Sequence, residues 1–181
     1  KPNPISDFSD INSELMLSDI ATLESVLNRI TKSKNSDKEK SALKDEVSNA
    51  LDKLNDSIFL DTADLEKVRE CFPDVKMLTQ KPMFVIANVN EKTSKTEIEK
   101  FKEHLSEDIK VVQVDVKIET DLNELSNEEK VEFMSEFNIT ESALSKIIKT
   151  GYSLLDLKTF FTSGEKESRA WAAKKYFNAH E

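Results

Sequence analysis

Two short polar segments in this chain carry residue types that could recognise a nucleobase. The segment Asn88-Val89-Asn90-Glu91 follows one apolar run, and Asp115-Val116-Lys117 closes a second. An amide followed three residues later by a carboxylate can bind a purine edge, because the amide braces the loop while the acid faces the exocyclic groups. Asn, Asp and Glu are also common turn formers and helix caps, so spacing alone leaves a purely structural role open.

The elements around these segments are predicted to be two parallel strands joined by a helix. The run Pro82-Met83-Phe84-Val85-Ile86-Ala87 is apolar on both faces, as strands of buried parallel sheets are, and residues 110–116 return as a second strand. Between them, Ser94-x-x-Glu97 is a capping-box pattern that starts a helix. Ligands of open α/β sheets bind at the carboxyl ends of the strands, where both polar segments lie. Two parallel strands do not form a stable sheet alone, so we expect further strands elsewhere.

Later segments predict two helices and a β-hairpin. A second capping-box pattern, Ser126-x-x-Glu129, starts one helix, and residues 141–155 form another with an apolar side made by Leu144, Ile147, Ile148 and Leu155. Residues 158–171 predict two short strands around a turn at 163–166. We expect the helices to pack against the sheet.

The first third of the chain predicts an antiparallel helical hairpin. Two apolar seams repeat at spacings of three and four residues, with the polar segment 31–37 between them. Each helix of about 20 residues would be roughly 30 Å long. A hairpin of two such helices is long but only two helices thick, too thin to hold a catalytic pocket. The seams are Met16, Ile20, Leu23, Leu27 and Ile30, and Leu43, Val47, Ala50, Leu54 and Ile58.

The tip of this hairpin is basic in an acidic chain. The whole sequence has 26 Lys and Arg against 35 Asp and Glu, a net charge of −9, which disfavours bulk attraction to nucleic acid or to anionic membrane. Residues 28–44 instead hold six basic and two acidic side chains. They are either a solvated tip or a local contact with RNA or the ribosome through Lys32, Lys34, Lys38 and Lys40. Nothing indicates a DNA or membrane partner.

Several other kinds of site are excluded by composition. The chain of 181 residues has two glycines, Gly151 and Gly164, which are too far apart for a phosphate-binding loop. Its one cysteine, Cys71, and two histidines cannot make a zinc cluster or an internal disulfide, and we expect no metal site. Cys71 is predicted to be a buried small hydrophobe. The apolar runs are far short of a membrane span and no signal-peptide pattern is present, which predicts a cytoplasmic protein.

Several separate stretches, in the correct order, resemble the YchF (Obg-like ATPase) family. Lys81-Pro82, the following strand and Ala87-Asn88-Val89-Asn90-Glu91 resemble that family's K-P-x-x-x-x-A-N-x-x-E segment. Segments 117–125 and 128–133 resemble the stretch after its next strand, and residues 151–155 and 159–171 are similar to its most distinctive run, ending T-F-F-T-S-G-E-K-E-S-R-A-W. Asn12-x-Glu14-Leu15-x-Leu17-x-Asp19 resembles the start of its helical arm, so the resemblance spans nearly the whole chain.

This resemblance implies an adenine-binding loop. The family is a branch of the P-loop GTPases in which the base-reading N-K-x-D motif has become N-x-x-E, and its intact members prefer ATP to GTP. By resemblance, Asn88 and Val89 line the adenine pocket and Glu91 is the specificity position. The second base loop of related GTPases is S-A-K, of which only Lys117 matches here. Hydrolysis and Mg²⁺ binding would depend on a P-loop and switch segments outside these residues, so we expect no catalytic residue here and no activity of this chain alone.

The predicted fold class is α/β. It comprises the C-terminal part of a P-loop GTPase-like parallel sheet, an inserted antiparallel helical hairpin (coiled coil) and the first hairpin of a β-grasp TGS domain. We place a connecting segment at 1–10, the helical hairpin at 11–60, the C-terminal half of the nucleotide-binding domain at 61–156 and the start of the TGS domain at 157–181. The chain opens on Lys1, which predicts an interior fragment.

Two functions follow from these patterns. The first is part of a ribosome-associated regulatory protein of the YchF type that binds and hydrolyses ATP. The alternative is a non-enzymatic interaction module, a helical arm on a small α/β body whose N-x-x-E turn is merely structural.

Overall fold

The computed structural model describes residues 3–137 and 139–174, which divide along the chain into two compact units between Lys81 and Pro82. No helix in this described part is long and apolar enough to cross a membrane. The first unit contains α1 (Pro4–Lys32), α2 (Asp37–Asn55) and α3 (Glu66–Cys71). The second contains β1 (Phe84–Asn88), α4 (Lys95–Glu103), β2 (Lys110–Val114), α5 (Val116–Glu124), α6 (Asn127–Glu136), α7 (Ala143–Leu154), β3 (Leu157–Ser163) and β4 (Ser168–Lys174).

The first unit is a helical hairpin whose two seams meet as the sequence predicts. Ser36 starts α2 with a full capping box, in which its side chain accepts a hydrogen bond from the Glu39 N–H and Glu39 accepts one from the Ser36 N–H at 2.9 Å. The two helices pack through the aliphatic side chains of their seams. Fully burying one aliphatic side chain contributes about 1.5–3 kcal/mol, so the seam is the main source of stability in this unit. Its buried members are Met16, Leu23, Val26, Ile30, Leu43, Val47, Ala50 and Leu54, with Ile20 and Leu27 packed against them.

The ends of the two long helices differ from the sequence-based boundaries. Helix α1 begins at Pro4, within the segment predicted as a connection, because Asn3 accepts a hydrogen bond from the Ser6 N–H and proline suits the first helical position. Helix α2 ends at Asn55, and Ser57 has a left-handed φ of 61°. The chain therefore leaves the helical path, and Ile58 is 53% exposed, so the prediction that it continues the seam is wrong.

The prediction for Cys71 is also wrong, since its side chain is exposed. Cys71 is the last residue of the short helix α3, whose one buried position is Val68. Phe72, four residues after Val68, packs against the core in its place. In so short a helix the larger aromatic side chain takes the inward direction, and the thiol faces outward.

A buried carboxylate ties the segment before β1 to helix α1. Asp19 is 1% exposed and accepts hydrogen bonds from the N–H of Leu78 at 2.7 Å and of Thr79 at 2.8 Å. The Thr79 hydroxyl donates a third at 2.7 Å. A buried carboxylate is tolerated only where donors surround it, and here two of the donors are backbone N–H groups.

A second polar tie lies near the tip of the hairpin. Arg29 donates to both carboxylate oxygens of Asp74, at 2.7 and 2.9 Å, and its guanidinium lies 4.6 Å from the centre of the Phe72 ring. The hydrogen bonds lower the pKa of Asp74 and raise that of Arg29. Arg29 is therefore committed to this contact and does not add to the open charge of the tip.

The second unit is built on a parallel pair of strands. Strand β1 runs parallel to β2 in the register from Phe84 opposite Lys110 to Asn88 opposite Val114. Helix α4 connects them and begins with the predicted capping box, so this strand–helix–strand prediction is confirmed. Strands β3 and β4 pair antiparallel across residues 157–174, which confirms the predicted β-hairpin.

Helix α7 packs on the sheet through only part of its predicted apolar side. Ile147 packs against the small core that Val112, Val114 and Ala143 form with Phe84. Leu144, Ile148 and Leu155 remain 63%, 51% and 43% exposed. Two strands offer too narrow a surface to cover more of a helix, so the expectation that all four side chains pack is met at Ile147 alone.

The Asp19 tie predicts a local loss of protection when the carboxylate is removed. Replacing Asp19 with alanine leaves the buried N–H groups of Leu78 and Thr79 without an acceptor, which costs about 3 kcal/mol in the free energy of unfolding. Urea denaturation should report this loss, and hydrogen exchange should accelerate at the two amides. Asp10→Ala, an exposed position on the same helix, is the matched control. Unchanged exchange at residues 78 and 79 in the Asp19 variant would contradict the assigned role.

Candidate functional site

The two predicted base-binding loops begin side by side at one edge of the parallel sheet. Asn88 and Val114 are the last paired residues of β1 and β2. The N–H of Val89 donates to the carbonyl of Val114 at 2.8 Å, which extends the pairing by one step. Both loops therefore leave the sheet at its carboxyl end, the position at which ligands bind in open α/β folds.

The first loop is organised by Asn90. Its side-chain oxygen accepts a hydrogen bond from the N–H of Lys92 at 2.9 Å, and its own N–H donates to the Thr93 hydroxyl at 3.1 Å. The Thr93 N–H closes the turn on the Asn90 carbonyl at 2.9 Å. Glu91, at the apex, is exposed, and its carboxylate has no hydrogen bond or ion pair within residues 3–137 and 139–174. This turn holds the backbone of Glu91 while leaving its side chain available to a ligand.

The second loop is a helix start. The Asp115 carboxylate accepts hydrogen bonds from the N–H groups of Lys117 at 3.0 Å and Ile118 at 3.1 Å, which makes it the N-cap of α5. Helix α5 is not among the predicted helices, although an Asp directly after a strand is an N-cap signal. Its carboxylate is occupied by the helix, whereas Lys117, the second residue of α5, is exposed.

A cavity of about 390 Å³ opens between these loops and helix α6. Glu91 and Lys117, two of the four predicted nucleotide-binding residues, line it. Asn88 and Val89, the other two, lie at the strand end beside it and do not line it. The lining residues are Asn90, Glu91, Lys92, Asp115, Lys117, Ile118, Asp121, Phe133 and Phe137.

Helix α6 gives this cavity an aromatic wall that the sequence analysis did not predict. The helix starts at the predicted capping box, where the Ser126 hydroxyl and N–H lower the pKa of Glu129. The rings of Phe133 and Phe137 stack with centroids 4.5 Å apart and planes 27° from parallel. Two phenylalanines four residues apart on one helix are the available signal, since such side chains lie on the same face.

Helix α5 is anchored from its other side. The Glu119 carboxylate accepts a hydrogen bond from the N–H of Ala143, the first residue of α7, at 2.6 Å. Together with the Asp115 cap, this bond fixes α5 at both its beginning and its middle. The position of Lys117 is therefore set by two carboxylates that the sequence alone did not assign.

A larger depression, of about 760 Å³, lies at the opposite end of β2. It is lined by Thr150 and by most of the residues between 102 and 112. It contains none of the predicted site residues, and it lies at the amino end of the strand, where ligands of this sheet type do not bind. No group of three or more His, Cys, Asp or Glu side chains suited to a metal ion occurs in the described part of the chain.

The tip lysines lie in the other compact unit. Lys32 ends α1, Lys34 lies in the connection, and Lys38 and Lys40 lie in the first turn of α2. Lys40 is half-buried and donates to the carbonyl of Thr31 at 3.3 Å, so it is committed to the hairpin. Lys32, Lys34 and Lys38 are exposed and form no ion pair among the described residues.

Comparison with known proteins identifies relatives over nearly the whole chain. No protein-family model matches. The Ribosome-binding ATPase YchF of Bacillus subtilis is 36% identical over 193 aligned positions, covering 100% of this chain and 52% of its own length. The Ribosome-binding ATPase YchF of Haemophilus influenzae is 36% identical, covering 94% of this chain and 48% of its own. The chain thus spans about half the length of the curated relatives it matches.

A solved structure has the same fold. The Schizosaccharomyces pombe YchF GTPase superposes with a TM-score of 0.77 at 26% identity, covering 98% of this chain and 50% of that one. The resemblance to the YchF family that the sequence motifs indicate is therefore confirmed, and so is an α/β fold, in which the described residues form a parallel and an antiparallel sheet.

The Asp115 cap yields a test of how Lys117 is positioned. Asp115→Ala removes the acceptor for two N–H groups of α5, which should cost about 1 kcal/mol of stability. Hydrogen exchange should accelerate at residues 117 and 118. Asp115→Asn keeps a capping oxygen and should leave both quantities close to wild type. Equal effects of the two substitutions would show that the charge of Asp115, and not its cap, is what matters.

Proposed function

We propose that this chain, which is related over nearly its whole length to the YchF family of ribosome-binding ATPases, supplies the base-recognition loops and the helical arm of an ATP-binding and ATP-hydrolysing protein of that type. The observation that carries the proposal is that Glu91 and Lys117 line one cavity at the carboxyl ends of adjacent parallel strands. Such a site is where the α/β fold places a ligand.

The chemistry of the first loop supports recognition of a base edge. Glu91 offers two carboxylate acceptors to the exocyclic amine of adenine, and its side chain has no partner within the described residues that would compete. Asn88 lies at the end of β1, directly before the loop, and Val89 is held to β2 by its N–H. In this proposal Asn88 and Val89 contact the base from the strand end beside the cavity, and Lys117 closes the pocket from the second loop.

Preference for ATP follows from the length of the acid. An aspartate in ordinary GTPases accepts from two adjacent guanine donors, whereas adenine has one exocyclic amine beside an acceptor nitrogen that repels a carboxylate. The longer Glu91 need not hold the geometry that guanine requires. Phosphate binding, Mg²⁺ and hydrolysis belong, in this proposal, to a P-loop and switch segments that are not among these 181 residues.

The remaining elements have proposed roles in the same scheme. The helical hairpin, residues 11–60, is the coiled-coil arm, and β3 and β4 are the first hairpin of a TGS domain within 157–181. The section between them, 61–156, is the C-terminal half of the nucleotide-binding domain. The seam of α1 and α2 supports the first assignment, and the antiparallel register of β3 and β4 supports the second.

Ribosome contact is proposed for the tip of the arm. The relatives are named for ribosome binding, and the exposed amino groups of Lys32, Lys34 and Lys38 offer phosphate contacts in a chain that is otherwise acidic. Lys40, whose amino group binds the Thr31 carbonyl, contributes by holding the tip. We propose no DNA or membrane partner.

Nucleotide binding is tested by calorimetric titration of the full-length protein with ATP and with GTP. Asn88→Ala should weaken ATP binding by about tenfold, the loss expected for one good base contact. Glu91→Asp should move the ratio of the two affinities towards GTP by a similar factor, because the shorter acid restores the guanine geometry. Glu103→Asp, on an exposed position of α4, is the matched control. A wild type that binds neither nucleotide would overturn the proposal in favour of a non-enzymatic interaction module.

Ribosome contact is tested by the salt dependence of binding. The double substitution of Lys34 and Lys38 with glutamine should lower the affinity of the full-length protein for ribosomes. It should also reduce the slope of log K against log salt by about one unit for each lysine–phosphate interaction that the substitutions remove. The control substitutes Lys67 and Lys76, two exposed lysines of the same compact unit. Equal reductions in both variants would show that net charge alone acts, and no specific tip contact.

A further inference from the structure

We propose that the stacked pair formed by Phe133 of α6 and Phe137, the C-cap of that helix, is the surface on which the base of the bound nucleotide lies. This inference rests on the proposed function, and it assigns binding residues that neither the N-x-x-E loop nor the second loop contains. The ligand class is a purine nucleotide, held by the flat face of its base.

The two phenylalanines share the cavity with the residues proposed to read the base edge. Glu91, Lys117, Phe133 and Phe137 all line the same space of about 390 Å³. A purine whose edge meets Glu91 in that space turns its two faces towards other parts of the lining. Among the lining side chains, the two phenyl rings are the flat apolar ones.

The described residues do not bury the pair in a core. Helix α6 has no buried residue along its described length, Phe133 is half-buried and Phe137 is 52% exposed. Phenyl rings left in contact with water forgo the free energy that burial would give them, yet these two are stacked on one another beside the base loops, with centroids 4.5 Å apart. An aromatic pair that no core among the described residues covers, and that lines a ligand-sized cavity, is suited to a planar ligand.

The phenylalanine pair and the Glu91 loop would have different roles in recognition. Stacking on an aromatic ring accepts every base, because every base has a π-face. Hydrogen bonds to the base edge distinguish one base from another. The wall therefore sets how tightly any purine nucleotide binds, whereas Glu91 sets which purine is preferred. Loss of the wall lowers both affinities and leaves their ratio unchanged.

The wall can be tested by calorimetric titration of the full-length protein with ATP, GTP and inorganic triphosphate. Phe137→Ala should weaken ATP and GTP by the same factor, about tenfold, within the range that loss of one base–aromatic stack produces. Binding of inorganic triphosphate, which has no base, should not change. Phe137→Trp keeps an aromatic face and should retain wild-type affinity. Phe161→Ala, on a β3 residue that is 74% exposed, is the matched control.

The outcomes separate this inference from the proposed function. ATP binding by wild type together with unchanged ATP binding by Phe137→Ala overturns the aromatic wall alone. A wild type that binds neither nucleotide overturns both. An equal loss of triphosphate binding in the alanine variant also overturns the wall, because it shows a general disturbance of the protein. Phe137→Leu, which keeps apolar volume without a flat ring, should behave as the alanine variant does if stacking is the cause.

Discussion

The parallel pairing of β1 with β2 is the constraint on which the candidate site depends. Because Asn88 pairs with Val114 and the Val89 N–H continues the ladder, the loops at 88–91 and 115–117 must start as neighbours. A shift of one residue in this register would turn every side chain of a strand to the other face of the sheet. The residues of the two loops are more than twenty positions apart in the chain, so only the sheet brings Glu91 and Lys117 to one cavity.

Local signals in the sequence were sufficient to predict most of the fold. The starts of α4 and α6 follow from Ser-x-x-Glu patterns that form full capping boxes, and the strands follow from their apolar runs. Helix α5 was not predicted, although Ile118, Leu122 and Leu125 have helical spacing, because it is only nine residues long and directly follows β2. The errors at Ile58 and Cys71 share one cause. Both lie where a helix ends, and the direction of a side chain there depends on turn geometry that periodicity does not contain.

The candidate site could be predicted only as far as its loops. Residue types identified Glu91 and Lys117, but the cavity between them is completed by α6, whose phenylalanines lie in a polar stretch with no buried position. No local sequence signal at Phe133 or Phe137 indicates that they share a cavity with the loops at 88–91 and 115–117, since that depends on how α5 and α6 turn after β2. The tip lysines show the same limit: Lys40 and Arg29 count as charges in the sequence, but the fold uses both for internal contacts.

The role of Asp115 changes how the second loop should be compared with those of related GTPases. Where those proteins have S-A-K, this chain has Asp115-Val116-Lys117, so only Lys117 is identical. Serine and aspartate are nearly equal as N-caps, and Asp115 acts here as the cap of α5. A serine at position 115 would therefore supply a cap of the same kind for the helix that carries Lys117. A motif defined by hydrogen-bonding role would keep such divergent members together, whereas one defined by residue identity would separate them.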